Sequence, residues 1–422
     1  MSLVIKNGTL IEPASRTSEP LDVRIEDGCV AAIGKDLDGG ETIDASGCVV
    51  APGLVDMHVH FREPGFEYKE TIETGSHAAA KGGVTSVVTM GNTSPVIDNA
   101  GMVEFVTRRA RDTACIKVFP AACATKGMEG SEITEMAELR DVGAVAITDD
   151  GKDIPDSAVM RRVLQYAKMV NLPVLCHCED ECLSRDGAMN EGFNSTVLGI
   201  PGIPKAAEEI RIERVVRLAA LTGAHVHIQH VSTAGGMETV RRAKAQGLPV
   251  TCEACPHYWT LTDEAVKTFN ANAKINPPLR EAEDVRAVVA GIQDGTVDCL
   301  CTDHAPHTPT EKNVEFQLAP FGAIGLETLL ALAVTELVEP GYISLERALA
   351  LMTCDPAGVC GLPAGTLKEA GPADVVVFDP KEEWTVEADK FASRSRNSPF
   401  VGRTVRGRVK YTLCDGNVVY QD

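Results

Sequence analysis

Long hydrophobic runs and an excess of positive charge are both missing from this sequence. No apolar stretch approaches the roughly 18 residues of a membrane-spanning helix. The opening "MSLVIKNGTL" has no charged segment followed by an apolar one, so we expect neither a membrane span nor a secretion signal. Lys and Arg number 40 against 60 Asp and Glu, a formal net charge of −20. Such a surface disfavours nucleic acid and anionic membranes as partners, whereas a small anionic substrate can bind where cations concentrate locally.

Paired cysteine motifs of the zinc-ribbon type are also missing. Cys252 and Cys255 form a lone C-x-x-C among 14 cysteines, which disfavours a structural zinc site. Two other pairs alternate inside apolar runs, as core strand residues do: Cys176 with Cys178, and Cys299 with Cys301. The pattern is typical of reduced thiols in a cytoplasmic protein.

Both ends of the chain carry short apolar runs separated by turn signals. The 422 residues are 44% hydrophobic, enough for a large core. Asn-Gly and Asp-Gly dipeptides in "LVIKNGTLI", "VRIEDGCV" and "TLCDGNVV" predict β-hairpins. We expect residues 1–52 and 364–422 to form one small β-sandwich, with residues 53–363 as a separate domain.

The middle of the chain alternates short apolar runs with helical patterns, which predicts βαβ units of an α/β fold. Eight runs are present: "GLVDMHVH", "VTSVVTM", "CIKVFPAA", "AVAITDDG", "LPVLCHCED", "HVHIQHVS", "LPVTCEACPH" and "VDCLCTDHAPH". The segments "DSAVMRRVLQYAKMVN" and "AAEEIRIERVVRLAALTG" have the clearest helical spacing. Eight units predict a (β/α)8 TIM-like barrel, whose catalytic residues lie at the C-terminal ends of the strands.

Several runs end in residues that bind metals: His58, His60, Asp149, Asp150, His177, His230 and Asp303. Residues i and i+2 of a strand share a face, so His58 and His60 point the same way. Imidazoles with carboxylates suit a Zn²⁺-like ion, and one bridging carboxylate can hold two ions. Asp150 is the preferred bridge, although spacing alone does not separate it from Asp149.

Other polar residues near these ends have competing interpretations. His225 and His227 have the opposite parity to His230, so we expect them to face the helices and to be structural. His257 is either structural or a support for the ligands, and His304 is structural. His307 lies beyond the eighth run, in a loop that can reach a substrate. Arg62 follows His60 by two residues, and its guanidinium suits a substrate carboxylate.

These residues carry a family resemblance. "GLVDMHVHFREPG" resembles the signature of the amidohydrolase superfamily, and in particular that of dihydroorotases of the long bacterial type. The likeness extends along the chain in "TMGNTSP", "TDDG", "HCED", "HIQHVST", "TCEACPH", "NPPLR", "TDHAPH" and "GTLKEAGPADVVVFDP".

The resemblance implies a barrel with a β-sandwich made by both termini, and two zinc ions. His58 and His60 would bind one ion, His177 and His230 the other, and Asp150 would bridge them. Asp303 would be both a ligand and the catalytic acid/base. The implied contacts to substrate are Arg62, Asn92, His307, Asn276 and the backbone near Gly322. The implied reaction is the reversible cyclisation of N-carbamoyl-L-aspartate to L-dihydroorotate in pyrimidine synthesis.

The sequence departs from the superfamily pattern at two positions, and two other functions are alternatives to the implied reaction. Many superfamily members bridge the metals with a carboxylated lysine after strand four, but this chain reads "ITDDG" there, and Gly91 stands where proline is more common. The alternatives are a related hydantoinase or allantoinase, and a non-catalytic partner of aspartate transcarbamoylase. A homodimer is expected, and an active enzyme can also associate with that transcarbamoylase.

The polar segment 307–322 is expected to form a mobile lid, with an ordinary surface loop as the alternative.

Overall fold

Eight parallel strands form the central sheet of the computed structural model, which describes residues 2–422; Met1 of the predicted segment 1–52 lies outside it. Each strand pairs with the next along the chain. The barrel strands are β1 Leu54–Val59, β2 Val84–Thr89, β3 Lys117–Ala122, β4 Ala146–Thr148, β5 Val174–Cys176, β6 Val226–Ile228, β7 Val250–Ala254 and β8 Cys299–Leu300. A parallel bridge between Val59 and His304 links the first and last strands, so the sheet is nearly closed. The predicted barrel and its eight runs are confirmed.

Helices surround this barrel. The α-helices are Ile72–Lys81, Ala100–Thr113, Met136–Asp141, Ser157–Met169, Glu181–Ser184, Phe193–Leu198, Ala206–Thr222, Ala234–Ala245, Pro256–Thr260, Ala282–Gln293, Pro309–Lys312, Leu329–Ala333, Leu345–Leu351 and Cys354–Cys360. Short 3-10 turns span Lys126–Met128, Asp263–Val266, Ala271–Ala273 and Ala388–Lys390, and a π-helical turn spans Val334–Val338. Both segments with clear helical spacing are helices. One begins after Asp156, whose carboxylate accepts from two backbone N–H groups, and the other ends at Gly223 with a φ of 66°. No helix within residues 2–422 is long and apolar enough to cross a membrane.

The two chain ends form two further sheets that pack on each other. The four-stranded sheet has the order Cys29–Gly34, Asp22–Glu26, Ser2–Lys6, Glu41–Asp44. The six-stranded sheet has the order Asn417–Gln421, Thr404–Cys414, Val375–Thr385, Val49–Pro52, Thr9–Glu12, Thr17–Pro20. Ile5 and Val23 of one sheet share a buried cluster with Val50, Val377 and Leu413 of the other. The predicted sandwich of both termini is confirmed. A separate two-stranded sheet pairs Met189–Asn190 with Gly202–Ile203.

Two of the three predicted hairpins are present. Asp27-Gly28 and Asp415-Gly416 join antiparallel strands, and all four residues have positive φ. The prediction at Asn7-Gly8 is wrong, because the strands on either side belong to different sheets. The Asn7 side chain donates to Asp44 Oδ1 at 2.9 Å, and the chain crosses there from one layer of the sandwich to the other.

Candidate active site

The first group of possible metal ligands lies where β1 and β4 end. Asp150 Oδ1 is 3.4 Å from His58 Nε2, and Asp150 Oδ2 is 3.5 Å from His60 Nε2. Asp303, beyond the end of β8, places its Oδ1 3.0 Å from His60 Nε2 and 3.6 Å from His58 Nε2. All four side chains are buried.

A second group shares the same aspartate. His230 Nε2 lies 3.8 Å and His177 Nδ1 3.9 Å from Asp150 Oδ1, and these two ring nitrogens are 2.9 Å apart. His230 and Asp303 have φ values of 36° and 48°, so the chain bends sharply just beyond both strands. Burial and the neighbouring His177 lower the pKa of His230 to about 3, whereas Glu179 and Asp150 raise the pKa of His177 to about 9 against the effect of burial.

The donor set of both groups fits a divalent metal. Each group brings two imidazoles and one carboxylate, with ligand atoms within 4.8 Å of one another. Burial opposes ionisation of Asp150, yet the adjacent His58 and His60 hold the pKa of that carboxyl well below its ordinary value. Asp150 therefore belongs to both groups as an anion, as a bridging ligand must.

Asp149 and Lys152 lie outside these groups. The Asp149 carboxylate accepts hydrogen bonds from the backbone N–H groups of Ala124 and Thr125, and from Thr125 Oγ1 at 2.5 Å. Lys152 Nζ donates to the carbonyl oxygen of Met128 at 3.3 Å. The structure thus places Asp150 between the two groups, and no lysine within residues 2–422 takes the bridging position.

Sequence reasoning missed the residues that support the ligands from behind. Glu253 on β7 accepts from His58 Nδ1, from the His230 backbone N–H at 3.2 Å and from His227 Nε2 at 3.1 Å. His227 therefore does not face the helices, and the parity argument for it is wrong. It fails because β6 ends at Ile228, so alternation does not extend to His230. The polar residue inside the apolar run "LPVTCEACPH" was the available signal for Glu253.

Asn92 is the corresponding support for His60. Its Oδ1 lies 2.9 Å from His60 Nδ1, which leaves Nε2 of that ring for the ligand group. A contact from Asn92 to substrate would have to use its amide nitrogen.

A cluster of cations lies beside the first group. Arg62 adopts a left-handed φ of 63°, and its Nε donates to the carbonyl oxygen of Pro306 at 3.2 Å. His307 Nε2 donates to the carbonyl oxygen of Phe321 at 2.7 Å, and His307 Nδ1 lies 3.3 Å from Lys69 Nζ. Burial and the neighbouring Arg62 lower the pKa of His307 to about 2, so that ring is neutral. Lys69, which sequence reasoning did not single out, also pairs with Glu311 at 2.9 Å.

The other two predicted substrate contacts lie on loops: Asn276 is beside the second group, and Gly322 is next to Ala305 and His307. Asn276 Nδ2 donates to Glu179 Oε2 at 3.0 Å, and the same oxygen lies 3.0 Å from His177 Nε2. Gly322 has a φ of 130°, donates its N–H to the Lys274 carbonyl oxygen at 2.9 Å and accepts from Asn397 Nδ2 at 3.0 Å. Both backbone groups of Gly322 are therefore engaged within the protein.

Comparisons with known proteins agree with this arrangement. Residues 47–235 match the dihydro-orotase-like family, and residues 196–420 match the amidohydrolase family. A dihydroorotase from Citrifermentans bemidjiense is 52% identical over 424 residues, covering 100% of both chains. One from Acetivibrio thermocellus is 48% identical over 422 residues, covering 100% of this chain and 99% of that one. The L-hydantoinase of Arthrobacter aurescens superimposes with a TM-score of 0.90 at 26% identity, covering 99% of this chain and 96% of that one.

The barrel and its carboxylate-linked histidine groups define a metal-dependent hydrolase of the amidohydrolase class. Within that class, the chain belongs to the dihydroorotase family, and it is a hydrolase of cyclic amide C–N bonds.

Proposed function

We propose that this chain catalyses the zinc-dependent, reversible cyclisation of N-carbamoyl-L-aspartate to L-dihydroorotate in pyrimidine nucleotide synthesis. The observation that carries the proposal is Asp150, shared by two histidine pairs, with Asp303 beside His60. Full-length relatives named dihydroorotase, about half identical in sequence, support the choice of substrate.

His58 and His60 would hold one zinc ion, His177 and His230 the other, and Asp150 would bridge them. When bound, such ions lower the pKa of a water molecule and polarise the carbonyl group under attack. Asp303 accepts the proton that this water releases and delivers it to the departing amide nitrogen of the ring. In the direction of ring closure, Asp303 takes a proton from the carbamoyl nitrogen and returns it to the departing water.

Arg62 anchors the substrate carboxylate in this proposal. Within residues 2–422 its guanidinium makes one hydrogen bond, through Nε, so its terminal nitrogens can form a paired contact with a carboxylate. Asn92 and His307 complete the carboxylate site, and Asn276 and the backbone near Gly322 contact the ring. In a chain of net charge −20, Arg62 and the nearby Lys69 concentrate positive charge where an anion must bind.

The remaining features of the proposal concern organisation. We propose a sandwich domain of residues 1–52 and 364–422 and a catalytic domain of residues 53–363, in a cytoplasmic homodimer. Association with aspartate transcarbamoylase is a second proposal, which co-purification of the two proteins would test.

The test is ring opening of L-dihydroorotate by the zinc-loaded protein, followed by loss of ultraviolet absorbance. We expect turnover that a chelator abolishes and zinc restores. His58→Ala should abolish it too, whereas His77→Ala, an exposed histidine on helix Ile72–Lys81, should not. Absence of turnover by a fully loaded wild-type protein would contradict the proposal.

Hydantoinase activity is the second candidate, because solved hydantoinases share the whole fold. Their identity of about one quarter is half that of the dihydroorotase relatives, which is why we rank this activity second. Faster turnover of hydantoin or allantoin than of dihydroorotate would reverse the ranking.

A further inference from the structure

A buried lysine lies beside the site without taking part in the proposed chemistry. Lys312 ends the short helix Pro309–Lys312, and only 7% of the residue is exposed. Its Nζ donates to the backbone carbonyl oxygens of Pro320 at 2.8 Å, Ala271 at 3.0 Å and Lys274 at 3.4 Å. An ammonium has three N–H donors, so these three acceptors use all of them. We call these three contacts the Lys312 clasp.

The Lys312 clasp joins two segments that carry proposed substrate contacts. Residues 271–274 lead directly into Asn276, and residues 312–320 lead directly into Gly322. Two further links run between the same segments: the Gly322 N–H donates to the Lys274 carbonyl oxygen at 2.9 Å, and Lys274 Nζ donates to the Gln317 carbonyl oxygen at 2.8 Å. Lys274 Nζ also lies 4.6 Å from the centre of the Phe321 ring.

We propose that Lys312 is a positioning residue, which holds the Asn276 and Gly322 loops in register and thereby sets the affinity for substrate. This inference rests on the proposed function for the identity of the substrate. Without the clasp, the order of the 313–322 segment would rest on fewer contacts, and part of the binding energy would be spent on ordering it. Lys312 itself touches no reacting atom, so its loss should raise KM more than it lowers kcat.

The charge of Lys312 is set by what surrounds it. Burial, together with the cations of Lys274 and Arg62, lowers its pKa from 10.5 to about 7, and Glu311 acts weakly in the opposite direction. Lys312 also lines a cavity of about 250 Å³, together with His307 and Arg396. Since the folded pKa is depressed, the ammonium is present below pH 7 and is lost as the pH rises through that value. A neutral amine has only two N–H donors, so one carbonyl of the clasp then loses its partner.

The first experiment compares hydrogen exchange of the zinc-loaded wild type with Lys312→Met and Lys267→Met, an exposed lysine nearby. Loss of hydrogen bonds to a charged group predicts about tenfold faster exchange of amides 313–322 in Lys312→Met only. Steady-state kinetics should show KM for L-dihydroorotate raised about tenfold, with kcat changed less than about threefold. The inference is overturned if Lys312→Met has the same exchange rates and the same KM as the wild type. It is also overturned if the variant binds less zinc and loses kcat in the same proportion.

The pH profile gives a second test that does not depend on how well Lys312→Met folds. Wild-type KM should rise between pH 6 and 8.5, whereas Lys312→Arg, which stays charged, should keep KM nearly level over that range. A parallel rise of KM in Lys312→Arg would overturn the inference. If the wild type does not turn over dihydroorotate at all, the proposed function fails, and hydrogen exchange still tests the clasp.

Discussion

At the scale of single residues, the ligand histidines of the first group have contacts on both sides of the ring. His58 directs Nε2 at Asp150 and Asp303, and Nδ1 at Glu253. His60 directs Nε2 at the same carboxylates and Nδ1 at Asn92. Partners on the far side of a ligand histidine select its tautomer and orient its ring, so they affect metal affinity without touching the metal.

Glu253→Gln should therefore weaken metal binding. Replacing this carboxylate removes the charged acceptor of both His58 and His227, and we expect affinity to fall by about 10- to 100-fold. Competition with a chromophoric chelator measures the effect. Glu63→Gln is the matched control, since this buried carboxylate pairs with Arg109 and accepts from the Ile72 backbone N–H instead of supporting a proposed ligand. Equal metal affinity in both variants would show that Glu253 contributes to packing but does not support metal binding.

Asn substitutions at the two adjacent aspartates should have different effects. Asp150→Asn replaces the shared anion by a neutral amide and should reduce the metal bound per chain, because neutral oxygen is a poorer ligand for a Zn²⁺-like ion. Asp149→Asn should keep its metal, because that side chain contacts Thr125 instead. Metal analysis of the purified proteins checks both, and the reverse result would place the bridge at Asp149.

At the scale of elements, short strands explain how the ligands meet. Strands β4, β5 and β6 have three residues each and β8 has two, so the chain leaves the sheet early. His230 and Asp303 then adopt positive φ and turn back toward the barrel axis. The alternation of faces holds inside a strand and is lost beyond its end. Sequence reasoning could therefore locate these residues but not their directions.

The helix Ser157–Met169, which follows β4, is stabilised by its N-cap residue, Asp156. Asp156 accepts from the backbone N–H groups of Ala158 and Val159 at 2.6 and 3.2 Å, and Asp156→Ala removes that acceptor. We expect the free energy of unfolding to fall by about 1 kcal/mol. Denaturant titration measures it, and Asp156→Asn, which can still cap, should stay near the wild type. Equal losses in the two variants would assign the effect to charge instead.

At the scale of the whole molecule, the centre gathers residues that are far apart in the chain. The proposed ligands lie at the ends of five different strands, β1, β4, β5, β6 and β8. Their support Glu253 is 195 residues from His58 in the chain. The sandwich is equally non-local, since Val49–Pro52 pairs with Val375–Thr385. A metal at the centre would connect most of the barrel at one point.

Removal of the metal should therefore destabilise the entire barrel. An ion that binds the folded chain and not the unfolded one adds about 4 kcal/mol at a free concentration 1,000 times its Kd. Calorimetry should show a lower Tm for the chelated protein and recovery when zinc is returned. Identical Tm values for the two forms would mean that no ion is held by the folded state.

Much of this architecture was determined by the sequence alone. Apolar periodicity is a property of neighbouring residues, so the eight strands, the two clearest helices and the β character of both ends could be predicted. The positions of His58, His60, His177, His230 and Asp303 at strand ends follow from the same pattern.

Only the tertiary structure decided how those side chains meet. In the folded chain Asp150, and not Asp149, lies between the two histidine pairs. His227 contacts Glu253, and Lys312 forms the three hydrogen bonds of the Lys312 clasp. The tertiary structure also divided Ser2–Lys6 and Thr9–Glu12 between two sheets despite the Asn-Gly signal between them. These outcomes depend on contacts between residues distant in the chain and on backbone turns beyond strand ends, and no local periodicity contains that information.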